Sequence, residues 1–158
     1  MAFSIRRVVT GHDAAGRALV AIDEVAANLV SRRPGHASYV IWSNAATPAD
    51  NDEDGDAGLR DVADCGQDGA IFRVIEFAPG VAPRMHRTLT VDYAVVMSGE
   101  ILMRLDDSEV TLRAGDCLVQ RGTIHDWVNT TDKPCVMAFV LIAAKPLTSA
   151  GKAMGATG

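Results

Sequence analysis

Apolar residues in this chain come in short runs broken by glycine, proline and aspartate. Ser4 to Thr10 is rich in β-branched residues and ends in the cluster Gly11-His12-Asp13-Ala14-Ala15-Gly16; a second apolar stretch, Ala18 to Ile22, follows it. Two strand-like runs around such a cluster predict a hairpin. Val25 to Val30 reads either as a helical turn or as an irregular connection. Arg33-Pro34-Gly35 is a turn signal, and Ser38 to Trp42 reads as the next strand. From Ala45 to Gly69 the chain changes character, with Asp50, Asp52, Glu53, Asp54, Asp56, Asp61 and Asp64 and almost no large apolar side chain. That composition predicts a long exposed loop, either a lid over a barrel mouth or solvated filler.

The β signal then becomes dense. Ala70 to Phe77 ends at Pro79-Gly80, Tyr93 to Met97 turns at Ser98-Gly99, and Ile101 to Leu105 leads into Asp106-Asp107-Ser108. Val110 to Leu112, Cys117 to Gln120 and an apolar run from Pro134 through Ile142 complete the series. Short strands at this spacing, with no long amphipathic helix, predict an all-β antiparallel sandwich or barrel. There is no internal repeat, so residues 1–143 read as one domain; residues 144–158, rich in Gly, Ala, Ser and Thr, read as a flexible tail.

Composition narrows the function classes. The 158 residues suffice for one core, and the net charge of −5, with no basic run longer than the doublets Arg6-Arg7 and Arg32-Arg33, argues against a nucleic-acid partner. Those doublets read as solvated positions beside strands. Cys65, Cys117 and Cys135 are scattered and make no CxxC pair, so neither a disulfide framework nor a thiolate zinc site is expected; Cys117 and Cys135 read as small buried hydrophobes. No apolar run approaches the roughly 18 residues that span a bilayer, and no secretory signal is visible, so the expected compartment is the cytoplasm, with no membrane partner.

Two segments carry candidate chemistry: Gly80 to Gly99, containing His86, Thr88 and Asp92, and Gly115 to Asn129, containing Gly122, His125 and Trp127. They resemble the two motifs of the cupin superfamily, the small jelly-roll barrels. The first motif keeps every spacing as Gly80, His86, Asp92 and Gly99, with Thr88 where a second His is expected and Asp92 in place of Glu. The second keeps its core as Gly122, His125 and Asn129, but its Gly115 to His125 interval is one residue short and its Pro is missing. The resemblance implies a cupin-type jelly-roll β-barrel with an N-terminal strand extension, a homodimer formed through N-terminal strands, and a divalent metal ion held by His86, Asp92 and His125. Ligand type alone admits Fe, Mn, Zn, Ni or Co.

Strand alternation supports a pocket beside the resemblance. His86 and Thr88 share a face, as do His125 and Trp127, and Asp92 lies in phase with the small residues Ala94 and Ser98. Met85 and Trp127 are candidate pocket lining, Trp127 equally well plain core. Glu76 is a candidate general base pointing into the barrel, or a solvent-facing carboxylate paired with an Arg. His12 and His36 read as surface residues, and Asn129 as a structural residue bonding a turn.

Two functions follow. The first is a metal-dependent enzyme of the small-cupin repertoire (dioxygenase or other oxidoreductase, decarboxylase, isomerase, lyase or cyclase) acting on a small aromatic, polyketide-like or carboxylic-acid metabolite. The runs His86-Arg-Thr-x-Thr-x-Asp92-Tyr and Val-Gln-Arg-Gly-Thr-x-His125-x-Trp look like a subgroup of aromatic and polyketide metabolism described as cupin oxidoreductases. The second is a non-catalytic small-molecule-binding cupin with a degenerate, metal-free site, which the missing second His favours.

Overall fold

Which side each strand turns to the core follows from its alternation, and two sheets meet across that core. The structure is a computed structural model describing residues 3–62 and 68–158; Asp64 and Cys65 lie outside the described residues. The main sheet has six strands in the order β3 (Leu29–Arg33), β4 (His36–Asn44), β5 (Ala70–Phe77), β11 (Cys135–Ala143), β6 (Thr90–Ser98) and β9 (Cys117–Arg121), all neighbours antiparallel. Opposite lies a three-stranded sheet, β10 (Asp126–Val128), β7 (Glu100–Arg104) and β8 (Glu109–Arg113). The sheets are not joined into one closed hydrogen-bonded ladder; they face each other as the two layers of a jelly roll.

The core fills the space between. Ile71, Ile75 and Phe77 of β5, Ala94 and Val96 of β6, and Phe139 and Leu141 of β11 pack against Ile101, Met103, Leu112 and Trp127 of the smaller sheet. The opposite phase of β6 and β9 (Tyr93, Val95, Met97, Val119) is exposed. Cys117 belongs to that outward phase and is exposed, contrary to the expectation that it is buried, whereas Cys135 is fully buried. Gly99, the last glycine of the first motif, has φ of 79°, and a Cβ there would lie 2.6 Å from the Pro134 carbonyl oxygen, so the turn into β7 admits no larger residue without strain.

The expected N-terminal hairpin is present as β1 (Arg6–His12) and β2 (Ala18–Val25). The ambiguous stretch after it is an irregular connection that enters β3. The N-terminal segment covers the outer face of β4 and β5, where Phe3 and Ile5 pack on Ala26, Tyr39, Ile41 and Val74. Arg7 anchors it. Its buried side chain pairs with Glu24 at 2.6 Å, with both carboxylate oxygens of Asp56, and with the Ile41 carbonyl at 3.4 Å. Asp56 also accepts from the Gly58 amide and caps a 3-10 turn, Ala57–Leu59, the only helical element among the described residues. Part of the acidic loop is thereby pinned to the body instead of standing in solvent.

The C-terminal residues, expected as a flexible tail, are also folded back. They form a hairpin, β12 (Leu147–Ser149) with β13 (Lys152–Met154), and Thr157 then exchanges two backbone hydrogen bonds with Arg87. Among the described residues, no helix is long and apolar enough to cross a membrane.

Asp56→Ala removes one of two carboxylates from a buried guanidinium. The expected loss is about 2–3 kcal/mol in urea unfolding, less than for a fully buried pair because water still reaches Asp56. The Arg7 guanidinium holds the Asp56 carboxyl below its ordinary value. Its stabilisation is therefore complete above pH 3.8 and is lost as pH falls through the lower folded value. The variant should lose this component of acid sensitivity; equal urea midpoints for variant and wild type would contradict the anchoring role.

Candidate active site

The site begins as a backbone contact between the two motif segments. His86 N–H donates to the His125 carbonyl at 2.9 Å, and His125 N–H donates back to the His86 carbonyl at 2.9 Å. Residues opposed in this way project to the same side, and the two imidazoles stand with centroids 4.2 Å apart. Asp126 fixes the same junction: its Oδ1 accepts from the Arg84 amide at 2.9 Å and from the Trp127 amide at 2.8 Å.

Both rings turn Nδ1 to a main-chain carbonyl, with their planes tilted by 46°. His86 Nδ1 lies 2.9 Å from the Arg84 carbonyl and His125 Nδ1 3.0 Å from the Thr123 carbonyl. A carbonyl only accepts, so each Nδ1 carries a proton, and in a neutral ring Nε2 then carries the lone pair. Burial, reinforced by the neighbouring His86, pushes His125 down to about 4, so it is neutral at pH 7.

These rings line a cavity of about 60 Å³ between the sheets, together with Thr88, Asp92, Arg73 and Trp127. Thr88 shares the interior side with His86, and its hydroxyl is 2.8 Å from that of Thr90. Asp92 is 5% exposed; burial pushes its carboxyl up, against a hydrogen bond from Thr90 and the charge of Arg73. Trp127 is both core and wall, edge-on to Phe139 at 5.6 Å and to His125 at 5.8 Å. The cavity continues outward through Arg33, His36 and Arg84, which also line a wider mouth of about 230 Å³ with Arg32.

Two expected pocket residues are elsewhere. Glu76 is out of phase with Arg73, Ile75 and Phe77 and sits on the outer face of β5, opposite Val136. Met85 points away from its neighbour His86 and is 43% exposed. Conversely, His36 and Arg33, read as surface positions, line the cavity, because the turn at Gly35 (φ 75°) folds them back as a cross-strand pair over it. Arg73 and Arg84 went unnoticed in the sequence. Arg73 had a signal, since it shares the inward phase of β5; the other three lie in or beside turns and had none. Asn129 is structural as expected: its Nδ2 donates to the Phe77 and Lys133 carbonyls and its Oδ1 accepts from Thr131.

With this geometry in view, comparison with known proteins decides the family. The Cupin_2 family (cupin domain) matches residues 73–142. The cupin-domain-containing oxidoreductase fogC of Aspergillus ruber is 35% identical over 94% of this chain and 77% of its own length. This chain is a cupin. Another relative, the cupin-domain-containing oxidoreductase srdB of Neurospora crassa, is 35% identical over 92% of this cupin and 77% of its own length. Among solved structures, KdgF from Halomonas sp. superposes with a TM-score of 0.49 at 14% identity, over 73% of this cupin and 88% of that chain.

The three-ligand metal set implied by the motifs is not assembled in this cupin. The Nε2 atoms of His86 and His125 suit a divalent ion, but among the described residues no three His, Cys, Asp or Glu side chains converge as ligands. The Thr88 hydroxyl, in the second-His position, is engaged by Thr90, and Asp92 is bonded by Thr90 and lies in the field of Arg73. Asp92 lines the same cavity, but among the described residues it does not converge with the imidazole pair into a three-ligand cation site.

The depressed value of His125 has a consequence for stability. The unfolded chain takes up a proton near the ordinary 6.5 that the folded chain refuses until about 4, so stability falls as pH drops through that window. Chemical unfolding of wild type and His125→Asn across this range should show a shallower decline in the variant. Parallel profiles would contradict a neutral buried His125.

Proposed function

We propose that this cupin is an oxidoreductase-type enzyme acting on a small organic acid, with the His86–His125 pair as its proton-transfer centre and a diffusible oxidant, dioxygen or an organic electron acceptor, as the co-substrate that takes up the electrons. The carrying observation is a pair of adjacent imidazoles, one wholly buried and neutral, at the inner end of an arginine-lined passage. The relatives named oxidoreductases support the reaction class. The guanidinium groups of Arg33, Arg73 and Arg84 suit an organic anion, and the wall of Trp127, Phe139 and Leu141 suits its apolar part. The roughly 60 Å³ inner chamber holds a functional group about the size of two waters, while the mouth takes the remainder of the molecule.

The chain's own residues then have defined tasks. The guanidinium groups bind and orient the acid. Nε2 of neutral His125 accepts a proton from the bound molecule, and the Thr123 carbonyl, holding Nδ1–H, stabilises the imidazolium that forms. Asp126 keeps the two motif segments in register through both of its amide contacts. A second reading, a binding module without turnover, is favoured by Thr88 standing where the second His is expected.

Calorimetry with small aromatic and β-dicarbonyl acids, each beside its uncharged amide, tests the reading, with mass spectrometry for turnover of any acid that binds. Acids should bind and amides should not, and Arg73→Met should weaken acid binding at least about tenfold. Equal binding of acids and amides would overturn the organic-acid reading; acid binding with no turnover would favour the module.

A further inference from the structure

A second cavity lies on the other side of the strand segment that carries His86. Its volume is about 160 Å³, and Thr88 is the one lining residue it shares with the cavity of the imidazole pair. Alternation explains the separation: His86 and Thr88 line the imidazole cavity, and Arg87 between them lines the second. A further wall comes from the C-terminal hairpin, through its cross-strand pair Leu147 and Met154. The two backbone hydrogen bonds between Arg87 and Thr157 tie the segment after that hairpin to the same place.

The charge of this cavity is one-sided. Arg87, Arg121 and Lys145 line it, and no carboxylate does. The chain holds 20 acidic and only 15 basic side chains, so three cations around one small space, with no acid among them, run against the composition. They come from three separate places: ahead of β6, at the end of β9 and just after β11. Among the described residues no ion pair engages any of the three, and Arg87 Nε is buried without a hydrogen-bond partner. Like charges gathered in this way repel, and an anion between them relieves the repulsion.

We infer that this cavity is a binding site for a phosphate-class oxyanion, separate from the organic-acid site and not dependent on that reading. Three cations exceed what one carboxylate neutralises. A phosphate dianion offers more charge and several acceptor oxygens, which suit the planar fork of a guanidinium. The volume gives room for about five waters, roughly the size of one phosphate group. Free phosphate and a phosphate monoester share this chemistry. A wider groove of about 380 Å³ adjoins the cavity, sharing Arg87, Leu147 and Met154, and is lined beyond them by Asp106, Asp107 and Ser108. There a monoester's hydroxylated body finds acceptors for its O–H groups.

The test is calorimetry at fixed ionic strength, with inorganic phosphate and glycerol phosphate as probes, on wild type, Arg121→Met, Lys145→Met and Arg73→Met. Arg121 and Lys145 are exposed, so their replacement leaves the fold intact. Wild type should bind at least one probe with a Kd below about 1 mM. Arg121→Met and Lys145→Met should each weaken that binding about tenfold, while Arg73→Met, which alters the acid cavity, should retain it. Tighter binding of glycerol phosphate than of phosphate assigns the site to a monoester, and the reverse assigns it to the free ion. Absence of saturable binding by both probes would overturn the inference. So would binding that is lost in Arg73→Met but unchanged in Arg121→Met and Lys145→Met, since the anion would then sit in the acid cavity.

Discussion

The site depends on two backbone hydrogen bonds, those exchanged between His86 and His125. They form an isolated bridge between the segment around His86 and the second motif, short-range in space but joining residues far apart in sequence. Because the contact is between backbones, it sets ring spacing without relying on the imidazoles themselves. The carbonyls of Arg84 and Thr123, two residues upstream of each ring, then fix both tautomers. Asp126 locks the junction by binding one amide from each side of it. A polar pair inside a β-sandwich core is costly unless its surroundings are preorganised, and here the preorganisation is almost entirely main-chain.

Around that bridge, the inner faces of the sheets carry more polar groups than packing alone requires. Arg73, Thr88, Thr90, Asp92, Gln120 and His125 are all buried on strands or strand extensions whose other inward positions are Ile, Val, Phe and Ala. The apolar half of the core, toward Phe77, Ile101 and Met137, supplies the stability; the polar half supplies the site. The N-terminal hairpin and its Arg7 anchor lie on the outer face of β4 and β5, so they stiffen the strands that present Arg73 and His36 without entering the cavity. The C-terminal segment is tied to the site's other side through the Arg87–Thr157 bridge.

Much of this was legible in the sequence. Period-2 alternation and Gly/Pro/Asp punctuation predict the strands, and the motif spacing predicts that His86, Thr88, Asp92, His125 and Trp127 line one cavity, as they do. Glu76 lies on the other face of β5. One phase error of a single residue separates it from Arg73, and charge pattern alone does not say which member of the pair faces inward. His36 and Arg33 enter the cavity through a tight turn packed so close to Val81 that a Cβ on Gly35 would lie 2.9 Å from its Cα, a long-range fact. The tail's hairpin is likewise set by partners elsewhere, since Gly, Ala and Ser have little strand preference of their own. The metal expectation turns on finer detail: motif positions predict where side chains go, but not that the Thr90 hydroxyl hydrogen-bonds Asp92 and that the charge of Arg73 acts on it.

The central claim is that an imidazole pair, held Nδ1–H by backbone carbonyls and with His125 neutral, forms the proton-transfer centre of an organic-acid site. Long-range proton–nitrogen NMR spectra of the imidazole rings, recorded at pH 7 with and without an acid that binds, test it most directly. The expected result is a protonated Nδ1 on both rings and an unprotonated Nε2 on His125, whose resonance moves when the acid is added. An imidazolium or Nε2–H pattern for His125 at pH 7, or ring resonances indifferent to the acid, would contradict it.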